Sequence, residues 1–442
     1  MSSTKPPSGT RDFLPDEIRR REYVTRVVRD VYEQYGFEPL ETPAFENIET
    51  LLGKYGEEGN KLIFKILRRG EHEATGEADL ALRYDLTVPL ARVVAQYQND
   101  LPRLFKRYQI QPVWRADRPG RGRFREFFQC DIDSMGSTSP VVEIELLSAV
   151  SDVLVRLGFD DFVIRLNHRR VLTALLTSFG IPAQQHEDAL VALDKLDKIG
   201  LDGVAREFNE RGIDAGSTDA CHTFFARGKT GAGVGADWFP RIEQQIPTDD
   251  STPELGQLIA LCRQVGLTDR VRVDPSLARG LSYYTGAIME IAVSDLAGSL
   301  GGGGRYDHLI GMFLGRDVPA CGFSLGLERI VVVMAERGMF PASVEGGAVD
   351  VVVTMWNDGS RGDALALARE LRRGGLRVDL YPDSDKLSRQ FKYASLRRVP
   401  FAVIVGDDER AQGSVSVKDL RSGEQQTVPR GDVVRHLQAR RS

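Results

Sequence analysis

The sequence predicts an α+β protein in which an antiparallel sheet domain is interrupted by a helical insertion and followed by a small α/β domain. Strand-like runs are concentrated in residues 1–166 and return in 267–340, whereas 167–266 has the composition of helices. In residues 346–442, strand-like runs alternate with segments of helix length, a pattern typical of βαβ units and a mostly parallel sheet. We therefore expect three domains with these boundaries.

The first domain contains the run LALRYDLTVP, residues 80–89. Its alternation predicts a strand with Arg83, Asp85 and Thr87 on one face and apolar side chains on the other. A solvated strand face has the same pattern, so this run alone does not identify a binding site.

A longer segment of the same domain, RYQIQPVWRADRPGRGRFREFFQCDIDSMG at 107–136, predicts a strand, a short turn and a returning strand. One face of the returning strand carries, in order, Arg123, Arg125, Phe127, Gln129, Asp131 and Asp133. Because guanidinium groups pair with phosphate oxygens, this order suits a ligand with phosphates at one end and a positive or hydrogen-bond-donating group at the other. Phe127 could belong to a core, but its charged neighbours favour a stacking role.

A nucleotide would have to be held by side chains, since no glycine-rich phosphate loop is complete. GKT at 228–230 lacks the earlier glycine of a Walker loop, and GGGG at 301–304 does not complete G-x-G-x-x-G. The segment PACGFSLGLERIVVVMAERG, residues 319–338, predicts a strand, a turn at Gly326 and a helix with Arg329 in its first turn. A helix N-terminus favours anions, although a surface salt bridge is the simpler interpretation of Arg329 alone.

Composition and cysteine use are those of a soluble protein of a reducing compartment. Of the 442 residues, 42% are apolar and 27% charged, and the apolar runs are too short to span a bilayer. The N-terminal residues lack the apolar region of a secretory signal, so we expect a cytoplasmic protein without membrane association. The scattered cysteines are Cys130, Cys221, Cys262 and Cys321, and their spacing gives no reason to expect zinc.

Charge is distributed unevenly along the chain. The formal net charge is −5, yet residues 346–442 contain seventeen Lys and Arg against thirteen Asp and Glu. A basic C-terminal region on an acidic chain suggests contact with a polyanion, whereas a solvated surface is the alternative.

These segments resemble motifs 2 and 3 of the class II aminoacyl-tRNA synthetases, in which arginines lie beside a loop between two strands and G-x-x-x-G-L-E-R later opens a helix. YGFEPLETPAFE at 35–46 resembles motif 1, the dimer element. LARGLSYYTG at 277–286 and GGGGRYD at 301–307 are similar to the paired signature segments of the histidyl-tRNA synthetases. DKLSRQFKYA and PFAVIVGDDE, within 385–409, resemble the anticodon-binding domain of that family.

The resemblance implies a class II catalytic domain with an antiparallel sheet, a helical insertion and an α/β anticodon-binding domain. It implies that ATP, with Mg²⁺, activates L-histidine to histidyl-adenylate, that tRNA(His) receives the histidyl group at its 3′ end, and that the protein is a homodimer. The alternative is a non-catalytic synthetase-like paralogue that regulates histidine biosynthesis. Such paralogues usually lack the C-terminal domain and the ATP-binding arginines, both of which this sequence has.

By position, the resemblance also implies roles for individual residues. Catalysis falls to Arg279, Arg115 and Gln129, with Arg279 bridging the attacking carboxylate and the α-phosphate, two anions that repel each other. ATP binding falls to Arg115, Asp117, Arg123, Phe127 and Arg329. Histidine binding falls to Asp85, Thr87, Arg115, Gln129, Asp133, Arg279, Tyr283 and Tyr284, with Asp133 and Tyr284 contacting the imidazole nitrogens. Contacts with tRNA are expected from a predicted helix with Lys386, Arg389, Lys392, Arg397 and Arg398, for which a solvated helix face is the alternative.

One position departs from the family pattern. Ser282 stands where R-G-L-D-Y-Y more often has Asp, which affects the local electrostatics around Arg279 rather than the expected reaction.

Overall fold

The computed structural model describes residues 4–70, 75–228, 238–247, 251–278 and 283–440. The chain divides into two compact units, Met1–Met339 and Phe340–Ser442. The strands of the first unit are β1 Glu38–Pro39, β2 Phe45–Asn47, β3 Lys65–Leu67, β4 Ala78–Leu82, β5 Phe105–Trp114, β6 Glu126–Met135, β7 Val163–His168, β8 Val271–Val273, β9 Ala287–Ala292, β10 Ser299–Arg305 and β11 Ala320–Gly326. Its helices are α1 Pro15–Gln34, α2 Ile48–Leu51, α3 Gly56–Lys61, α4 Thr87–Gln96, α5 Val141–Arg156, α6 Arg169–Ser178, α7 His186–Leu193, α8 Leu196–Glu210, α9 Ala215–Gly228, α10 Phe239–Gln245, α11 Ser251–Gln264, α12 Gly311–Leu314 and α13 Leu327–Glu336.

The first unit is built on an eight-stranded sheet in the order β1-β5-β6-β11-β10-β9-β7-β8. Along this order, the five pairings that lead from β5 to β7 are antiparallel, and the outer pairs β1–β5 and β7–β8 are parallel. The predicted antiparallel sheet is therefore confirmed. Glycines in β10 allow the close approach of β11, because a Cβ on Gly303 would overlap the carbonyl oxygen of Gly322.

Helices α1, α5 and α13 pack on this sheet, and α5 and α13 also pack against α1. Helix α1 begins at Pro15, whose fixed φ suits a first helical position, and the carboxylate of Glu17 accepts a hydrogen bond from the N-cap N–H at 3.1 Å. Val24, Val28 and Val31 recur every three to four positions and are buried. On the strand beneath, Cys130 and Ile132 of β6 are buried, whereas Phe127, Gln129, Asp131 and Asp133 line a cavity.

The strand predicted over residues 80–89 is wrong for most of its length. Strand β4 ends at Leu82, and α4 begins at Thr87. The carboxylate of Asp85 accepts a hydrogen bond from the N–H of Val88 at 3.0 Å, which satisfies a free donor at the helix start. Proline at position 89 also suits the first turn of a helix, so local capping overrides the alternating pattern.

The segment between β7 and β8 is helical, from α6 to α11, as its composition predicts. Helix α8 is kinked at Gly200, whose φ of 69° lies in the left-handed region that favours glycine. An ion pair of 3.0 Å between Arg165 and Asp197 connects the start of α8 to β7. Within the described part of the chain, no helix is both long and apolar enough to cross a membrane.

The second unit contains α14 Ala342–Glu345, β12 Val351–Val353, α15 Arg361–Arg373, β13 Val378–Leu380, α16 Leu387–Leu396, β14 Phe401–Ile404, α17 Asp407–Gln412, β15 Ser414–Asp419, β16 Gln425–Pro429 and α18 Val433–Ala439. Its sheet has the order β13-β12-β14-β15-β16. Strand β12 is parallel to both of its neighbours, and the hairpin β15–β16 adds the antiparallel part. Val351, Val353, Phe401 and Val403 form part of its buried core, as expected for parallel strands covered by helices.

Candidate active site

A cavity of about 870 Å³ lies against the polar face of β6, the loop from 115 to 125, and the N-terminal turn of α13. Eleven residues singled out in the sequence line it, namely Asp85, Thr87, Arg115, Asp117, Arg123, Phe127, Gln129, Asp133, Tyr283, Tyr284 and Arg329. Arg279 and Ser282 lie outside the described residues. The fold therefore brings together side chains that are up to 244 positions apart in the sequence, from Asp85 to Arg329.

One end of the cavity is cationic. The guanidinium of Arg115 lies 4.2 Å from the ring centre of Tyr84 and 5.2 Å from that of Phe127, and its Nε donates to the carbonyl oxygen of Tyr84 at 3.0 Å. These contacts fix a planar cation between two aromatic rings. Arg123 forms an ion pair of 2.7 Å with Asp117. The loop between β5 and β6 therefore has internal bonds in addition to its exposed positive charges.

Arg329, in the first turn of α13, donates to the carbonyl oxygen of Ser299. Gly122, near the tip of the loop, lies close to it, because a Cβ on Gly122 would be 3.2 Å from Cγ of Arg329. The N-terminus of a helix carries a partial positive charge, which adds to the charge of this side chain. The geometry favours an anion between the loop and α13.

The opposite end of the cavity is acidic and buried. Asp85 accepts hydrogen bonds from the hydroxyls of Tyr55 at 3.0 Å and Tyr283 at 3.4 Å. Burial raises the pKa of Asp85, although its hydrogen bonds and Arg115 oppose that rise. Tyr283 packs edge-on against Tyr284, with ring centres 5.3 Å apart. The two tyrosines thus form one wall of this end.

Two further carboxylates of β6 face a single buried arginine. The guanidinium of Arg107 forms an ion pair of 2.8 Å with Asp133, while its distance to Asp131 is 4.0 Å. Tyr306 donates its hydroxyl hydrogen to Asp133. Burial raises the pKa of Asp133 and raises that of Asp131 to about 7, whereas Arg107 acts in the opposite direction.

Three buried acceptors at this acidic end have no hydrogen-bond partner among the described residues: Oε1 of Gln129, Oδ1 of Asp131 and Oδ2 of Asp133, the last of which faces Arg107 in the ion pair. The amide nitrogen of Gln129 is occupied, since it donates to the hydroxyl of Ser324 at 2.8 Å. Buried acceptors without a donor are unfavourable, so the site is suited to a ligand that brings N–H groups.

Sequence reasoning missed four residues of this end of the site: Tyr55, Arg107, Asp131 and Tyr306. The sequence pattern could have identified Asp131, since it lies on the predicted polar face of β6, but the resemblance gave it no role. The pattern could also have identified Arg107, because R-x-Q-x-Q in β5 places it on the same face as two glutamines. Tyr306 lies in GGGGRYD at 301–307, a segment quoted for the resemblance without a role for this residue, whereas no local pattern identifies Tyr55.

The residues predicted to contact tRNA are all exposed but differ in their setting. Lys386 precedes α16 and Lys392 lies on it, whereas Arg389 forms an ion pair of 2.8 Å with Asp385. Arg397 pairs with Asp379 beyond the end of the helix. Arg398 also follows α16; it has a φ of 55° and donates to the carbonyl oxygen of Glu345 at 3.0 Å.

Across the described ranges, no group of three or more His, Cys, Asp or Glu residues is arranged to hold a metal ion. A Mg²⁺ ion that arrives with a triphosphate is held mainly by phosphate oxygens and water, with one or two protein carboxylates. Two carboxylates line the cavity, but Glu290 forms an ion pair of 3.1 Å with Arg165, and both oxygens of Glu328 are bonded, to Arg21 and to the N–H of Phe128.

Comparison with known proteins gives full-length matches. Residues 9–330 match the family model described as histidyl-tRNA synthetase, and residues 350–440 match that of the anticodon binding domain. The chain is 42% identical over 446 residues to the histidine–tRNA ligase of Gloeobacter violaceus, with 95% of each chain covered. It matches the crystal structure of histidyl-tRNA synthetase from Nostoc sp. PCC 7120 with a TM-score of 0.81 and 33% identity over 100% of both chains.

A third similar protein bears on the non-catalytic alternative. A structure from Bacillus halodurans, described as an ATP phosphoribosyltransferase regulatory subunit/histidyl-tRNA synthetase, matches with a TM-score of 0.72 over 89% of this chain and 97% of that one. Its identity of 22% shows a shared fold alone. The full-length matches above include the second unit and exceed 30% identity. The chain therefore belongs to the histidyl-tRNA synthetase family.

Proposed function

We propose that this chain activates histidine with ATP and then transfers the histidyl group to the 3′ end of tRNA(His). One observation carries the proposal: a single cavity joins an arginine-bearing loop at one end to a floor of buried carboxylates at the other. ATP and histidine are the kinds of molecule that these two ends can hold side by side. The loop suits a triphosphate, and the acidic floor suits an ammonium group and an imidazole N–H.

In the first step, a carboxylate oxygen of histidine attacks the α-phosphorus of ATP, the bond to the bridging oxygen breaks, and pyrophosphate leaves. Arg115 is the described cation best placed for this step, because two aromatic rings and a carbonyl oxygen hold its guanidinium. A fixed cation between two reacting anions lowers their repulsion without reorganisation. Arg279 is proposed for the same task by resemblance, and Gln129 is proposed to orient the attacking carboxylate.

The remaining nucleotide contacts follow the cavity. Phe127 is proposed to stack on adenine, with Asp117 near the nucleotide, while Arg123 and Arg329 hold the terminal phosphate. Mg²⁺ bound with ATP would neutralise charge on the leaving pyrophosphate.

At the acidic end, the ammonium group of histidine is proposed to bind Asp85, Thr87 and Gln129. We add Asp131 to this set, because its Oδ1, like Oε1 of Gln129, is buried without a hydrogen-bond partner among the described residues, and the two side chains share a strand face. Asp133 and Tyr284 are proposed to contact the imidazole nitrogens. Asp133 is already bonded by Arg107 and Tyr306, yet a carboxylate has about four lone-pair sites and can accept another N–H.

In the second step, a hydroxyl of the tRNA 3′ end attacks the carbonyl carbon of the adenylate, and AMP leaves. The second unit is proposed to bind the anticodon region through the exposed cations around α16. We also propose a homodimer formed through the segment at 35–46, and action in the cytoplasm, where tRNA is charged.

The deciding experiment is ATP–pyrophosphate exchange with each amino acid separately. Exchange that depends on histidine is expected. Exchange with another amino acid but not with histidine would overturn the specificity, and exchange with none would favour the non-catalytic paralogue.

A further inference from the structure

The N-terminal segment Ser8–Phe13 lies against the loop between β5 and β6. The backbone N–H of Arg125 donates to the carbonyl oxygen of Gly9 at 2.7 Å. Nη1 of Arg125 donates to the carbonyl oxygen of Ser8 at 3.2 Å. The last residue of the loop is thus bound through both its backbone and its side chain to a segment more than a hundred positions away in the sequence.

Arg125 also holds the start of the loop. The N–H of Arg115 donates to the carbonyl oxygen of Arg125 at 2.9 Å, and Nε of Arg125 donates to the carbonyl oxygen of Asp117 at 3.1 Å. Asp117 in turn pairs with Arg123. Arg125 therefore connects Ser8 and Gly9 to Arg115, Asp117 and Arg123, three of the charged residues of the loop that line the cavity.

Aromatic and ionic contacts extend this connection to α13. The guanidinium of Arg11 lies between the rings of Phe13 and Phe124, 4.6 Å and 4.2 Å from their centres. Arg21 lies 4.1 Å from the ring centre of Phe13 and forms a buried ion pair of 2.6 Å with Glu328. Glu328 is the residue before Arg329. The N-terminal segment therefore contacts the loop directly and is connected through Arg21 and Glu328 to the first turn of α13.

Gly9 allows the close contact with Arg125. Its φ is 85°, and a Cβ at this position would lie 2.6 Å from Cγ and 2.8 Å from Cδ of Arg125. A side chain here would displace Arg125 and be strained in the backbone at the same time.

We infer that the segment Ser8–Phe13 positions the loop for the triphosphate, with Gly9 and Arg125 as positioning residues for ATP and not for histidine. The inference rests on the proposed function. Neither residue lines the cavity, so each acts through Arg115, Asp117 and Arg123. The histidine end depends on β5, β6 and Tyr306, which the segment does not touch within the described contacts.

The test is Gly9→Ala, with Gly266→Ala as the matched control. Gly266 has a similar φ of 79°, but no atom of the described residues lies within 4 Å of its added Cβ. We expect Gly9→Ala to raise the KM for ATP in pyrophosphate exchange by about tenfold to hundredfold, since a misplacement of about 1 Å can cost about 10²-fold. Histidine binding without ATP, measured by calorimetry, should change less than about twofold, and Gly266→Ala should leave both values unchanged.

Arg125→Ala is the second variant, and it tests the same positioning role if Gly9→Ala fails to fold. It removes the bonds to Ser8 and Asp117 and keeps the backbone bond to Gly9, so the KM for ATP should again rise selectively. An unchanged KM for ATP, or an equal loss of histidine binding, would overturn the inference. In either case, histidine-dependent exchange by the unaltered protein would leave the proposed function intact, whereas its absence would remove that function itself.

Discussion

Asp131 is the residue whose replacement tests the acidic end of the site most sharply. Asp131→Asn keeps the shape of the side chain, which is 2% exposed, and removes its charge. If its free oxygen receives the ammonium group of histidine, a charged hydrogen bond is lost. Such bonds contribute about 1.5–3 kcal/mol, so the KM for histidine should rise about 10- to 150-fold. The KM for ATP should not change, because the loop at the other end is untouched.

The effect of Asp131→Asn on the KM for histidine should increase as pH rises. Burial raises the pKa of Asp131 to about 7, so the carboxylate that attracts an ammonium group forms as pH rises through that value. The ratio of variant to wild-type KM should therefore be largest near pH 8 and smaller near pH 6, roughly one pH unit on either side of this pKa. Using a ratio cancels the titration of the substrate imidazole. The charges of Arg107, Asp133 and Asp85 act on the pKa of Asp131 itself, so the replacement also changes the titration of its carboxylate neighbours.

The same variant should stabilise the empty protein. A carboxyl whose pKa is raised in the folded state disfavours folding above that pKa and has no effect below its unfolded value of about 3.9. Asp131→Asn should thus raise Tm near pH 8, with a difference that disappears near pH 4. Asp202→Asn, at a side chain that is 96% exposed, is the control.

Steady-state exchange and calorimetry with histidine and with imidazole-4-propionate, which lacks the ammonium group, provide the assay. The variant should bind the second compound as the wild type does. An equal loss for both compounds, or a KM ratio that is constant with pH, would show that Asp131 does not receive the ammonium group.

Three further predictions concern other parts of the molecule. Arg107→Met leaves buried carboxylates uncompensated and should lower the free energy of unfolding by about 3–5 kcal/mol in urea titrations; a loss below about 1 kcal/mol would contradict the assigned ion pair. Replacing Lys386 and Lys392 together by Glu should raise the KM for tRNA at least about tenfold in aminoacylation, more at low salt, with exchange unchanged. The control is Arg361→Glu, at an exposed position of the same unit, which should leave the KM for tRNA unchanged. Ser282→Asp should keep adenylate formation within about tenfold, or about 1.4 kcal/mol, and a hundredfold loss would indicate a differently arranged site.

The parts of the fold that depend on local patterns were predictable from the sequence. The polar face of β6 follows from alternation alone, and the turn at Gly326 with Arg329 in the next helix follows from a short segment. The family and its fold were predictable for the same reason, since these segments resemble known motifs. The strand predicted beyond Leu82 failed because the hydrogen bond from Val88 to Asp85 was not visible in the alternation.

The pairings within the site depend on register, which the sequence did not show. Arg107 meets Asp133 because β5 and β6 place these two positions opposite each other. A shift of one residue would turn one of them to the other face of the sheet. The contact of Arg125 with Gly9 likewise joins segments whose proximity is set by the tertiary fold and by no periodicity.

The glycines of β10 have a consequence for which substitutions this protein can accept. Side chains at 301 and 303 would strike backbone of β11, and one at 304 would come within 2.6 Å of the carbonyl oxygen of Ala287. At Gly302 the nearest atom would be 3.3 Å away, a tight but less severe contact. Volume, rather than charge or polarity, therefore governs tolerance along this strand. Along residues 301–304, β10 can supply little more than peptide planes to the wall of the cavity, so sequence variation that tunes this part of the wall has to come from the neighbouring strands.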